Sequence, residues 1–300
     1  MLIDGLRYSR TISINPMLNL IPMSEYAALK ETFKGIHVTD GAGVRLKRII
    51  GTHYLDNVDP FVLLDEFKSD DPNDYIAGFP MHPHRGIETI TYMLEGKFRH
   101  RDSKGNEGIM HRGEVQWMTA GRGILHEEMP AMEEGRLWGF QLWLNLPRAN
   151  KMVPPRYQHL SADMIPEVVV GDVTVKIISG EFGGKSGPAK NYVRSTYLDV
   201  RLGKDTDFHY KFDPGMNGFI YAHTGELSLN GEDRIGEGTI GILGDGDTII
   251  VRGIEDENGF LLLTGIPNNE PIARGGPFVM NTKEEIRQAF EDYRSGRIGQ

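Results

Sequence analysis

The chain contains no cysteine. Disulfides, thiolate metal sites and cysteine nucleophiles are therefore excluded, and any metal must be held by nitrogen and oxygen donors. Positive charge is also in deficit: 33 Lys and Arg stand against 42 Asp and Glu, a formal net charge of −9. On average such a surface repels phosphate backbones and anionic lipid, which disfavours direct nucleic-acid binding. No apolar run reaches the length of a membrane span. The opening MLIDGLRYSRTISINPMLNLIPM lacks a basic stretch followed by an unbroken apolar core, although Arg7 and Arg10 give it a faint transit-peptide flavour. The expectation is a soluble cytoplasmic protein, or a nuclear one in a eukaryotic host. Residues 1–35 read as an N-terminal extension.

Long helical runs are scarce as well, whereas 37 glycines and 16 prolines supply turns. Strand-like segments recur at short spacing: FVLLDEF from Phe61, IETITYML from Ile87, EVQWMTA from Glu114 and LWGFQLWLNL from Leu137. After a proline-rich polar stretch at 147–166 the rhythm resumes with VTVKIISG, GFIYAHTGELSLNG and FLLLTGIP. The two halves look like a distant repeat, in which Gly96 matches Gly225 and Gly113 matches Gly238. The pattern predicts an all-β protein of two barrels, over 36–160 and 161–300. It ends in one helix, NTKEEIRQAFEDYRSG, where Thr282 and Glu285 form a capping box and Ile286, Ala289, Phe290 and Tyr293 share the buried face.

Chemistry concentrates in two stretches of the first half. In PMHPHRGIE, His82 and His84 are two apart, so on a strand both imidazoles point the same way; in GRGILHEEMP, His126 and Glu128 repeat the spacing. Three imidazoles and one carboxylate form a thiolate-free ligand set suited to Fe, Mn, Ni, Cu or Zn. Residues 84, 86 and 88 share a face of a regular strand, so Glu88 is a further candidate to line the pocket, or to pair with Arg85 or Arg122. Alternation turns Glu127 outward as an exposed carboxylate. Carrying the glycine offsets of the repeat from His82, His84, His126 and Glu128 lands on Lys211, Asp213, Val251 and Gly253, so the second barrel is expected to keep the scaffold and lack the ligands. The remaining histidines, His37, His53, His100, His111, His159, His209 and His223, show no paired spacing. Trp117, Trp138, Phe140 and Trp143 read as barrel core, with a few of them free to wall the pocket.

HPHRGIETITYMLEG, GEVQWMTAGRGILHEEMP, LDNVDPFVLLDEF and GGPFVMNTKEEI, taken together and in this order, resemble the pirin family of the cupin superfamily, from about residue 37 to about 293. The resemblance implies a bicupin with a single mononuclear metal, usually iron, in the N-terminal barrel. It also implies the ligands: the two histidines of HPH, His82 and His84, with His126 and Glu128 of the second motif. Cupins at large use the glutamate of HxHxxxE, here Glu88, but the resemblance to pirins ranks Glu128 above it as fourth ligand.

Two functions follow as expectations. One is a metal-dependent dioxygenase of quercetin 2,3-dioxygenase type that opens a flavonol-like small molecule with O2, with Glu128, or else Glu88, as general base. The other is a redox-responsive regulatory protein, a transcriptional co-regulator or enzyme-binding partner without turnover, which the acidic surface suits better than it suits a DNA reader. A cupin with a vestigial metal and a different substrate is a third, blander case.

Overall fold

Segments whose apolar residues alternate do form strands, and the computed structural model, which describes residues 26–300, arranges them as two barrels followed by a single helix. Each barrel sets a seven-stranded sheet against a four-stranded one. In the first, Ile87–Glu95 lies inside the large sheet, flanked by Val115–Thr119 and Leu137–Asn145. Its small sheet runs Phe79–His84, Ile124–Pro130, Phe98–Asp102, Glu107–Met110. The second barrel repeats that small sheet as Asp207–Lys211, Thr248–Gly253, Glu226–Leu229, Asp233–Gly236. The glycines that anchor the repeat are alike in backbone too: Gly96 and Gly225 have φ of +89° and +69°, a turn that a side chain at either position would strain.

The two large sheets pack face to face, which is why Ile87–Glu95 is buried at every position except its last. Its odd-numbered residues face into their own barrel. Its even-numbered Ile90 and Tyr92 join Trp117, Phe140 and Leu142 against Tyr197, Phe219 and Leu261 of the second barrel. Phe61 and Phe219 meet edge to face at 5.2 Å between ring centres. Two reciprocal polar clamps cross this apolar layer. Tyr92 of the first barrel donates to Asp199 of the second at 2.6 Å, and Tyr221 of the second donates to Glu66 of the first at 2.6 Å. Each carboxylate takes its other bond from its own barrel, Asp199 from His223 at 3.1 Å and Glu66 from the Trp138 indole at 3.0 Å. Burial by itself would raise the Asp199 carboxyl, but the bond and charge of His223 hold it below the usual range.

The chain ends exchange barrels. Leu29–Lys34, in the stretch read as an extension, is the edge strand of the second barrel's large sheet, paired with Thr239–Leu243. Residues 1–25 of that extension lie outside the described residues. At the other end the hairpin Ala273–Gly275 and Phe278–Met280 returns to the first barrel, where Phe278 bridges to Arg85. The helix Lys283–Arg294 follows, with the Thr282–Glu285 capping box in place. Ala289 and Phe278 are buried with Ile298 against Leu125 of the first barrel's small sheet, whereas Tyr293, expected on the buried face, is 39% exposed. The Lys151 ammonium, 2% exposed, fastens this segment by donating to the carbonyls of Gly86 and Val279 and to Asn145 Oδ1. Among the described residues no helix is long and apolar enough to cross a membrane.

The register corrects the residues that the repeat offset assigned to the second barrel. His82 pairs with His126, and the matching pair is Phe208 with Val251. By the same register His84 corresponds to Tyr210, not to Asp213. The offset fails because residues 212–216 join the two strands of the second barrel where only Arg85 and Gly86 join those of the first. Phe208, Tyr210 and Val251 are buried together, so apolar core fills the position that histidines occupy in the first barrel.

Candidate metal centre

Phe79–His84 is the edge strand of its small sheet, which lets Pro83 sit there without breaking the ladder. The strand turns His82 and His84 onto one face, and the neighbouring strand brings His126 opposite His82. His82, His84 and His126 therefore converge, with one ligand nitrogen from each lying within 4.8 Å of the others. The ring centres of His82 and His126 are 4.4 Å apart and those of His84 and His126 4.9 Å.

Backbone carbonyls orient two of these rings. Nδ1 of His82 lies 2.9 Å from the Pro80 oxygen and Nδ1 of His84 lies 3.1 Å from the Pro277 oxygen. A carbonyl only accepts, so each Nδ1 carries a proton, and in the neutral ring each Nε2 presents its lone pair. Those two Nε2 atoms face each other at 3.0 Å, close enough to share a cation. Nε2 of His126 is buried without a hydrogen-bond partner. Burial, reinforced by the neighbouring histidines, pushes His84 and His126 well below the ordinary imidazole range. Both rings are therefore neutral at neutral pH, the form that binds metal. This donor set fits a divalent ion.

Glu128 is brought to the same cavity but is held by side chains: Thr91 Oγ1 lies 2.6 Å from Oε1, and Gln141 Nε2 donates to Oε2 at 3.0 Å. A register shift between His126 and Glu128 displaces the carboxylate along the strand. Among the described residues it groups with His126 and His100. His100, which showed no paired spacing, is buried behind His126 with the two Nδ1 atoms 3.5 Å apart; its own Nε2 faces Asp102 Oδ2 at 3.4 Å and its ring stacks on Tyr157. The available signal was alternation in FRHRD, where Phe98, His100 and Asp102 all turn inward.

Glu88 is not brought to this centre. The strand carrying His84 ends there, Gly86 turns the chain with φ of +81°, and a new strand starts at Ile87, so the alternation assumed from 84 to 88 is broken. Glu88 instead faces the seam between the barrels, fully buried, where Thr119 donates to Oε1 at 2.7 Å and Arg156 stands 3.9 Å away. Arg85 is committed to Asp292 and the Arg122 carbonyl. Glu127 turns away from the cavity but is not the exposed carboxylate expected: its side chain is 13% exposed and ion-paired with Arg101 at 3.2 Å and Arg99 at 3.6 Å. His37, His53, His111 and His209 are exposed and His159 half-buried; His223 serves the barrel seam.

A cavity of about 550 Å³ opens onto His82, His84 and Glu128. Leu46, Leu63, Phe67, Phe79, Phe98 and Trp143 give it apolar walls, and the Trp143 ring meets His84 edge-on at 4.9 Å. Trp117 and Phe140 lie in the seam core instead, and Trp138 is half-buried under Lys68. Fold and site define a cupin-type protein with two barrels, one carrying a nitrogen-rich centre and the other filled with core. The Pirin family profile matches residues 43–144 and that of the Pirin C-terminal cupin domain matches residues 197–299. A pirin-like protein of Caulobacter vibrioides is 46% identical, over 88% of this chain and 96% of its own length. Human pirin is 42% identical, over 87% and 90%. The chain belongs to the pirin family. Among solved structures, a quercetin 2,3-dioxygenase from Acinetobacter baumannii superposes with a TM-score of 0.86 at 32% identity, over 92% of this chain and 99% of that one.

Proposed function

We propose that the protein is a metal-dependent oxygenase of quercetin 2,3-dioxygenase type, acting on a flavonol-like small molecule with O2. The observation that carries the reading is the convergence of His82, His84 and His126, two with their Nε2 lone pairs turned together and the third with Nε2 unpartnered, at the end of an apolar cavity. A cavity of this size lies within the range of small-molecule sites, roughly 300–1,000 Å³. The likeness to a quercetin 2,3-dioxygenase over nearly the whole chain supports the same reading.

In this account His82, His84 and His126 hold one ion, with Glu128 as the adjoining carboxylate. When bound, the ion supplies positive charge that stabilises a deprotonated substrate hydroxyl, and access to dioxygen chemistry. The chain's residues do the rest. The apolar walls exclude water and hold a planar substrate with its oxygens toward the histidines. Glu128 Oε1 accepts the hydroxyl proton. Thr91 accommodates it, because its single hydroxyl proton has two acceptors, Glu128 Oε1 at 2.6 Å and Gln141 Oε1 at 2.7 Å. Protonation of Glu128 turns the Thr91 hydroxyl to Gln141 without leaving either group unsatisfied.

The test is oxygen uptake with quercetin by protein loaded in turn with Fe, Mn, Ni, Cu and Zn, alongside His126→Ala. Uptake should require bound metal and disappear in the variant together with the metal. Undiminished uptake in a metal-free variant, or none with any of the ions, would overturn the proposal.

A further inference from the structure

The cavity lining also carries two arginines in different states. Arg48 is neutralised: its Nε and Nη2 form a two-pronged pair with Asp65 at 2.9 and 2.7 Å, and Nη2 also meets Asp40 at 2.6 Å. Arg274 lines the same cavity from the returning C-terminal hairpin. Among the described residues no carboxylate is in contact with it, and Asp56, Asp65 and Asp40 act on it only from farther off. Its Nη1 donates to the Val62 carbonyl at 2.9 Å, and the guanidinium stands 5.2 Å from the Trp143 ring centre. A guanidinium with no carboxylate in contact, beside apolar walls, offers its remaining N–H groups to a planar anion, and the fork geometry suits a carboxylate. Trp143 lies between the two groups, with His84 against its edge and Arg274 near its face.

We infer that the substrate of this cavity is a planar aromatic oxygen chelator that also bears a carboxylate, and that Arg274 recognises the carboxylate while the chelating oxygens face the histidines. The inference rests on the metal-centre reading above and adds a charged group on the cavity lining. It makes Arg274 a specificity-determining residue supplied by the last stretch of the chain. A flavonol without an acidic substituent then fills the apolar walls and leaves the guanidinium unanswered.

The experiment is a binding titration of Zn-loaded protein, followed by tryptophan fluorescence, with a matched pair: 3-hydroxyflavone and its analogue carrying a carboxylate on the ring remote from the chelating oxygens. The carboxylate should bind at least about tenfold more tightly, as expected for a hydrogen-bonded charge pair. Arg274→Met should remove that advantage while leaving the uncharged compound nearly unaffected, and Arg274→Lys, which keeps the charge but not the fork, should retain part of it. Equal affinities in the wild type, or an advantage that survives Arg274→Met, would overturn the inference. Because binding is read without turnover, failure of the oxygenase reading is separate. In His126→Ala both affinities should fall together, with their ratio preserved.

Discussion

Nδ1 of His84 donates to the carbonyl of Pro277, across 193 positions of sequence, at 3.1 Å. The orientation of a candidate metal ligand in the first barrel is thus set by a hairpin that follows the second barrel. Lys151 binds the same hairpin through Val279, and Phe278 is fully buried beneath the terminal helix.

Loosening that hairpin should therefore act on the metal centre. Phe278→Ala is expected to destabilise the protein by about 3–5 kcal/mol, the usual cost of emptying a buried aromatic site. It should also lower metal content, because His84 loses its fixed tautomer. Denaturant unfolding and elemental analysis of the purified variant read the two effects.

The Glu128 clamp makes a prediction about catalysis. Thr91→Val keeps the side-chain shape and removes the hydroxyl that holds Oε1. Activity or metal affinity should fall by roughly 10–100-fold, the usual effect of deleting a partner that orients a metal-site group. Steady-state rates together with a metal-competition titration distinguish the two.

The seam between the barrels should be sensitive to one hydroxyl. Tyr92→Phe leaves the buried Asp199 Oδ2 without its donor and should cost about 1–3 kcal/mol. The loss is measured in urea, with the candidate metal centre, on the far side of the large sheet, left intact.

Glu88 gives a pH dependence. Burial raises its carboxyl above the ordinary value, against the opposing bond from Thr119. The folded chain therefore keeps a proton that the unfolded chain has released, and stability falls as pH rises through the window between the unfolded and the folded value. Glu88→Gln should raise the melting temperature at pH above that window and give no advantage below it. Melting curves from pH 4 to pH 8 check the sign.

Much of the architecture was legible in the sequence, since alternation, turn glycines and the repeat mark both barrels, and Thr282 with Glu285 marks the helix start. His82, His84 and His126 were legible because a spacing of two puts side chains on one face of a strand. What failed depended on breaks in that rule or on distant contacts. The turn at Gly86 moved Glu88 to the other side of the sheet. His100 lacked a histidine partner two residues away and was paired with Asp102 instead. The edge strand Leu29–Lys34 and the return of Arg274 and Pro277 to the first barrel are long-range placements that no local pattern encodes.

The most direct test of the account is anomalous diffraction from crystals of the metal-loaded protein. It predicts one strong peak per chain, between the Nε2 atoms of His82, His84 and His126. A peak among His100, His126 and Glu128 alone, or at Phe208 and Val251 in the second barrel, would contradict it.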